Sequence, residues 1–292
     1  MTRVSSNPFT IQVQGTGTGT QTGWTFPSNG ALPNAFVAFQ FLNPHLNGLP
    51  IWGPNGSGTT FIWKAKYRQQ TGYYTAWWWG NNGEYWWDHG SPNTYYGCHP
   101  FPDPRQGGLS WNKTAHVFEI GGDFGADQTW TTQGAETFNN AVKDNARWYT
   151  QALRTTRNAN GSKTHLFYIS IPSTSPIDII QLNLGPSEGE TNPPNPAVTF
   201  GDSPWPTIAG QSGKTMGRMS GTLRHIKIFN KVLSLADTFA EAQSESLVTS
   251  EGQANIWWMK INPSTVDDLT CDAGTGRSFQ WANSNKATLW TG

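Results

Sequence analysis

Gly221-Thr-Leu-Arg-His-Ile-Lys-Ile-Phe-Asn-Lys-Val-Leu-Ser-Leu-Ala-Asp-Thr-Phe239 carries three structural signals in succession. Residues 222–229 are rich in β-branched and apolar side chains that suit a half-buried strand. Asn230-Lys231 then gives a turn signal. Ser234 stands where a helix would begin, with a hydroxyl able to accept from the amides that a first helical turn leaves free. Asp237 follows three residues on, close to the positive helix end. The spacing predicts a strand over 222–229 and a helix over 235–243. A strand this late in the chain needs partners from earlier in it, so the Pro-, Gly- and Ser-rich region 185–221 reads as a functional loop rather than a domain boundary.

Similar runs recur at 35–42, 59–68, 72–79, 115–120, 147–156, 163–171 and 177–184, separated by Gly, Pro, Asn and Ser clusters. Many short strands divided by turn signals predict an all-β sandwich. One further stretch, 135–144, has helical character. Residues 9–14 read as a strand-like arm, and Gly15-Thr-Gly-Thr-Gly-Thr-Gln-Thr-Gly23 as a flexible polar spacer that would let the arm pack on a neighbouring subunit.

Lys and Arg number 19 against 19 Asp and Glu, and this balance argues against a nucleic-acid partner or a basic membrane-surface protein. Charged residues make up 13% of the 292 positions and aromatic residues another 13%, against about 25% charged in ordinary globular chains. Few charges and many rings describe a surface that meets something neutral. Cys98 and Cys271 are too few for a disulfide scaffold and read as free thiols or one optional bridge. No apolar run suggests a signal peptide or membrane insertion. Sequons at Asn55, Asn112 and Asn160 would matter only in a secretory pathway.

In its order of glycine, alternating strand, Asn-containing turn and Leu-Ser helix start, 221–239 resembles the closing strand and short helix of laminin G-like domains. These belong to the concanavalin A-like lectin/glucanase superfamily. The stretch from Trp148 through Asn158-Ala-Asn-Gly161 to Ile171 is similar to that family's middle hairpin, and by spacing the resemblance runs from Thr59 to Ala242. It implies a jelly-roll sandwich of two antiparallel sheets with one or two short helices. It leaves the activity open, because this fold serves lectins, hydrolases, lyases and structural modules alike. Tyr95-Tyr-Gly-Cys-His-Pro and Ile256-Trp-Trp-Met-Lys-Ile-Asn-Pro also resemble segments of bacterial-virus structural proteins.

Tyr73-Tyr-Thr-Ala-Trp-Trp-Trp-Gly-Asn-Asn-Gly-Glu-Tyr-Trp-Trp-Asp-His89 reads as a hairpin turning at Asn81-Asn82. Position 79 would oppose 84, 78 would oppose 85, and 77 would oppose 86. Trp77, Trp79, Trp86 and Glu84 then share one face, and Trp78, Tyr85 and Trp87 the other. One face can be core, while the other would present rings, with Asp88 and His89 nearby, to a ligand or another subunit. Sugar C–H faces stack on such rings while hydroxyls bond to polar neighbours. The alternative is that both faces are covered inside the sandwich or a multimer.

Glycosidases need two carboxylates, and Glu119 with Asp123 or Asp127, or Glu84 with Asp88, are the pairs available. Hydrolases of the resembled superfamily carry Glu-x-Asp-x-x-Glu on a strand, whereas the Glu119 segment lacks the middle acid. A lyase would need a Tyr or His base among cations, yet His99, His116, His165 and His225 are scattered, and Arg147 falls on the opposite strand parity from Arg154. Neither zinc spacing nor a phosphate loop is present; Gly210-Gln-Ser-Gly-Lys-Thr has the wrong spacing. Calcium is the one cofactor left open, through Asp268 and Asp272, though an Asx-type turn explains the same residues.

The expected organisation is an arm and spacer over 1–23, a sandwich over 24–246, and a C-terminal extension over 247–292. Trp257, Trp258, Trp281 and Trp290 of that extension would fold back on the sandwich. The expected function is non-enzymatic binding of a neutral glycan or host cell-surface polysaccharide, or of other structural subunits in a homo-oligomer. The expected setting is the virion surface, as a decoration, fibre or adhesin component, or the cytoplasm of synthesis if the chain is not viral. A polysaccharide hydrolase or lyase of the same fold, and a capsid or tail subunit without a ligand, are the alternatives.

Overall fold

The computed structural model describes residues 20–26, 37–42, 58–67, 77–81, 96–100, 117–121, 129–131, 148–157, 159, 163–170, 178–184, 196–201 and 221–292. In chain order its strands are β1 (Thr22–Phe26), β2 (Ala38–Leu42), β3 (Gly58–Tyr67), β4 (Trp77–Asn81), β5 (Tyr96–Pro100), β6 (Val117–Gly121), β7 (Thr129–Thr131) and β8 (Tyr149–Arg157). There follow β9 (Lys163–Ser170), β10 (Asp178–Leu184), β11 (Pro196–Gly201) and β12 (Gly221–Phe229). Helices α1 (Leu235–Gln243) and α2 (Ser250–Asn255) precede β13 (Ile256–Lys260), β14 (Ala273–Gly274), β15 (Gln280–Trp281) and β16 (Thr288–Thr291).

These strands form two antiparallel sheets. The larger runs β10-β9-β8-β3-β12-β1-β16, with β13 on β12 and β14 on β13; the smaller runs β15-β2-β11-β4-β5-β6-β7. The chain alternates between sheets from β1 to β4 and again from β10 to β12, stays in the larger sheet through β13 and β14, crosses to the smaller for β15 and returns for β16. The all-β sandwich of two antiparallel sheets expected from the sequence is what the described residues form, with two short helices.

Strand alternation sorts side chains into layers. Phe61 of β3 faces the smaller sheet, 6.4 Å from Phe200, which lies 5.5 Å from Phe39. Phe279 closes this layer, 4.4 Å from Trp258 and 5.6 Å from Phe39. Trp24, Trp63 and Trp258 are fully buried, and Trp257 nearly so. Part of the aromatic content read above as surface is therefore core, where each indole removes ~200 Å² from water. Ile62, on the opposite parity, packs with Ala152, Phe229, Leu233 and Ala242 under α1. Ser234 caps α1 as its position predicts, accepting from the Asp237 amide at 3.1 Å.

Four sequence expectations need correction. Strand β11 runs through the region read as one long loop, because a β-branched and aromatic core, Ala197-Val-Thr-Phe200, outweighs its Pro-rich flanks. Thr22 and Gly23, assigned to the spacer, belong to β1, which is laddered to both β12 and β16. Residues 247–292 are not merely packed on the sandwich: they supply β13, β14 and β16 to one sheet and β15 to the other. Strand β12 does not alternate throughout. Arg224 pairs with Lys64 and Lys227 with Ile62, so β12 carries one extra residue, and His225 sits in this bulge at φ 54°. The arm over 9–14 and the helix over 135–144 lie outside the described residues.

Candidate functional site

Strand β4 carries the first three tryptophans of the sequence-predicted hairpin. Its partners are β5, with Trp77, Trp78 and Trp79 opposite Cys98, Gly97 and Tyr96, and β11 on its other edge. The expected pairing of 77–79 with 84–86 is therefore replaced. The Asn81-Asn82 signal is local, whereas β4 sits inside a sheet and has both edges taken. Positions 77 and 79 stand across from buried Phe200 and Val198, and 78 stands across from Thr199. Glu84, Tyr85, Trp86, Trp87, Asp88 and His89 lie outside the described residues, as do Asp123 and Asp127. In the same sheet His99 and Glu119 stand directly opposite each other, with Thr129 next across.

The side chains that define a site lie on the outer face of the larger sheet, beyond the edge of the α1 cover. One row runs Trp290, Gly23, Arg224, Lys64, Thr150, and the next includes Thr288, Thr25, Thr222 and Lys66. Trp148, preceding β8, and Trp290 of β16 reach toward each other over β3, β12 and β1, and their ring centroids meet at 4.9 Å. The Lys66 ammonium is 5.9 Å from each ring centroid, and the Arg224 guanidinium is 5.5 Å from that of Trp148. Both indoles are half-buried. Gly23 leaves a notch in the first row because nothing larger fits: a Cβ there would stand 2.5 Å from the Leu223 carbonyl oxygen.

Charge here is unevenly matched. Glu245, in the turn after α1, takes a hydrogen bond from Arg224 and lies 3.9 Å from Lys64. Among the described residues, no carboxylate pairs with Lys66. Burial, followed by the Arg224 guanidinium and, more weakly, Lys227, pushes the Lys64 ammonium down to about 8, against the pull of Glu245. His225, fully buried beneath this cluster, makes no well-formed hydrogen bond through either ring nitrogen. Burial first, then Lys64, Lys227 and Arg224, hold it well below the ordinary imidazole range, so it is neutral at pH 7.

The acids considered for calcium are otherwise engaged. Lys260 places its ammonium 2.8 Å from both Asp268 and Asp272. Asp268 also accepts from the Ser264 amide and hydroxyl and from the Thr270 hydroxyl. Burial would raise the Asp268 carboxyl, but Lys260 and these donors hold it well below the usual carboxylate range. The Lys260 ammonium thus sits between the two carboxylates. Among the described residues no group of three or more metal-ligating side chains gathers. Cys271 is a free thiol that donates to the Ala273 carbonyl. Arg154, weighed as a lyase cation, donates to the Leu233 carbonyl at 2.8 Å and anchors the chain entering α1.

No protein-family model matches the sequence, and no curated protein matches it. Among solved structures, it is similar to the enzymatically active domain of tailspike protein 2 from Bacteriophage CBA120, with TM-score 0.46 and 12% identity, over 74% of this chain and 28% of that one. It is also similar to the CBM40 of Ruminococcus gnavus IT-sialidase bound to α2,3-sialyllactose, with TM-score 0.42 and 11% identity, over 71% of this chain and 94% of that one. Scytalido-glutamic peptidase gives TM-score 0.32 and 8% identity, over 85% of this chain and 98% of that one. The chain thus spans little more than a quarter of the tailspike domain. None of these similarities carries a ligand or an activity over to this protein.

Proposed function

We propose that this protein is a non-enzymatic β-sandwich module that binds glycan. The observation that carries the reading is the half-exposed Trp148–Trp290 pair on the outer sheet face, with Lys66 beside both rings. Indole faces stack on the C–H faces of sugar rings, and the threonines of the adjoining rows offer hydroxyls to hydrogen-bond sugar oxygens. We propose the aromatic segment over 77–89 as a second candidate for contact with the same ligand class. The setting we propose is the surface of a bacterial virus particle, where a decoration, fibre or adhesin subunit meets host polysaccharide. That setting rests on the resemblance of 95–100 and 256–263 to segments of bacterial-virus structural proteins read from the sequence.

The test is to incubate the protein with neutral and acidic polysaccharides, with calcium and with chelator, and to score retention together with soluble product. Retention without product, lost in Trp148→Ala and Trp290→Ala, is the expected result; product would replace the reading with an enzyme. The register of His99 against Glu119 favours that rival, since an acid and a base on neighbouring strands suit proton transfer. Any such product should vanish in Glu119→Gln.

A further inference from the structure

The charge balance of the whole chain points to a neutral partner, but the charge balance of this one face does not. Three cations, Lys64, Lys66 and Arg224, share it with one carboxylate, Glu245, which engages Arg224 and Lys64 and leaves Lys66 without an anionic partner among the described residues. The Lys227–Glu241 pair alongside is closed on itself at 2.8 Å and adds nothing net. Among the described residues two positive charges are thus in excess, beside two indole rings and a glycine notch. An ammonium close to an aromatic face recurs in protein interiors without any ligand. What sets this one apart is that Lys66 and both rings are partly exposed while the Arg224 side chain is only 2% exposed. A buried, pre-positioned guanidinium and a partly exposed ammonium on a flat aromatic platform suit a ligand that is both a sugar and an anion.

Resting on the glycan-binding reading above, we infer that the Trp148–Trp290 face is a site for an acidic glycan whose uronate carboxylate pairs with Lys66 while its ring stacks on the indoles. Lys66 is the specificity residue: it rewards a carboxylate on the sugar and gives little to an uncharged one. Glu245 neutralises Arg224 and Lys64 when the face is empty. A ligand carboxylate has to compete with it there, so Lys66 is the first point of engagement.

The experiment is affinity electrophoresis of the full chain in gels containing polygalacturonate, dextran sulfate or a neutral β-glucan, at low and at physiological salt. The variants are Lys66→Met and Trp290→Ala, with circular dichroism to confirm that each is folded. Lys66→Met changes a half-exposed side chain and keeps the stem that packs on the rings, so it serves even if Trp290→Ala is unstable. The expected result is retardation by polygalacturonate, weakened about tenfold by Lys66→Met, with little retardation by the neutral glucan. Equal retardation by the neutral glucan, indifferent to Lys66→Met, would overturn the acidic-ligand inference and leave glycan binding standing. Retardation by dextran sulfate as strong as by polygalacturonate, and unchanged in Trp290→Ala, would overturn it in favour of plain ion exchange. Retardation by none of the three would sink the inference and the glycan-binding reading together.

Discussion

The Lys227 ammonium lies 2.8 Å from the Glu241 carboxylate with neither side chain exposed. Lys227 donates to the Glu241 carboxylate, the Glu241 carbonyl and the Ser246 carbonyl, using all three of its protons. The other carboxylate oxygen accepts from the Val248 and Thr249 amides and the Thr249 hydroxyl. One ion pair therefore fixes α1 to β12 and sets the turn that leads into α2. Burial would raise the Glu241 carboxyl, but Lys227 and the Thr249 donors bring it below its ordinary range, so it is ionised.

Glu241→Gln should destabilise the protein by about 3–5 kcal/mol, because it leaves a buried ammonium without its counter-charge. Replacing both partners with apolar residues should not restore full stability, since the Val248 and Thr249 amides would then be unsatisfied. Urea denaturation of the two variants checks both statements. A loss below about 1 kcal/mol for Glu241→Gln would mean that water reaches the pair.

Asp268→Asn removes one of the two carboxylates on Lys260 and should cost about 1–3 kcal/mol at pH 7. The folded-state carboxyl is held below its unfolded value, so its contribution is complete above the ordinary carboxylate pKa and declines as pH falls below about 4. The gap in melting temperature between wild type and variant should therefore narrow on acidification. Millimolar calcium or a chelator should leave the wild-type melting temperature unchanged.

Gly23→Val should push β1 away from β12, because its Cβ would meet the Leu223 carbonyl oxygen at 2.5 Å and the Arg224 Cβ at 3.0 Å. Amide exchange should then rise along 22–26 and 288–291 together, as β16 hangs on β1. Protection lost in β16 alone would contradict this order of dependence.

Lys64 gives binding and stability opposite responses to alkali. With its folded pKa at about 8, it loses charge between pH 7 and 9, so polygalacturonate retention should fall over that window. Between about 8 and 10.4 the unfolded chain holds more protons at this residue than the folded one, so its contribution to stability rises with pH. Lys64→Met should flatten both responses. The other charged groups around Lys64 on this face are Lys66, Arg224, Lys227 and Glu245, above the buried neutral His225.

The sequence was most legible where local chemistry coincided with the final partner. Strands β3, β8, β9, β10 and β12 and the capped helix α1 all fall within a few residues of where alternation and Ser234 put them. Strand β11 was hidden by its prolines, and β1 by the glycine and threonine repeat that runs into it. The Trp hairpin failed for a different reason: Asn81-Asn82 looks like a tight turn, but a turn signal does not say which strand lies next door. The Trp148–Trp290 pair had no signal at all, since its members meet only once β8, β3, β12, β1 and β16 are in order. The bulge at His225 could not be anticipated either, because nothing in the run from Leu223 to Phe229 marks the residue at which the pattern slips by one.

Strand β1 has its neighbours far away along the chain: Thr22 hydrogen-bonds to Asn262 and Pro263, 240 and 241 positions on. A strand made among the first must therefore keep both edges uncovered while the rest of the described sheet is being synthesised. Contacts of this sequence separation make folding slow, and open edges invite pairing with other chains. The glycine- and threonine-rich stretch just before β1, with little hydrophobic surface of its own, is a suitable leader for a segment that has to stay soluble until its partners arrive.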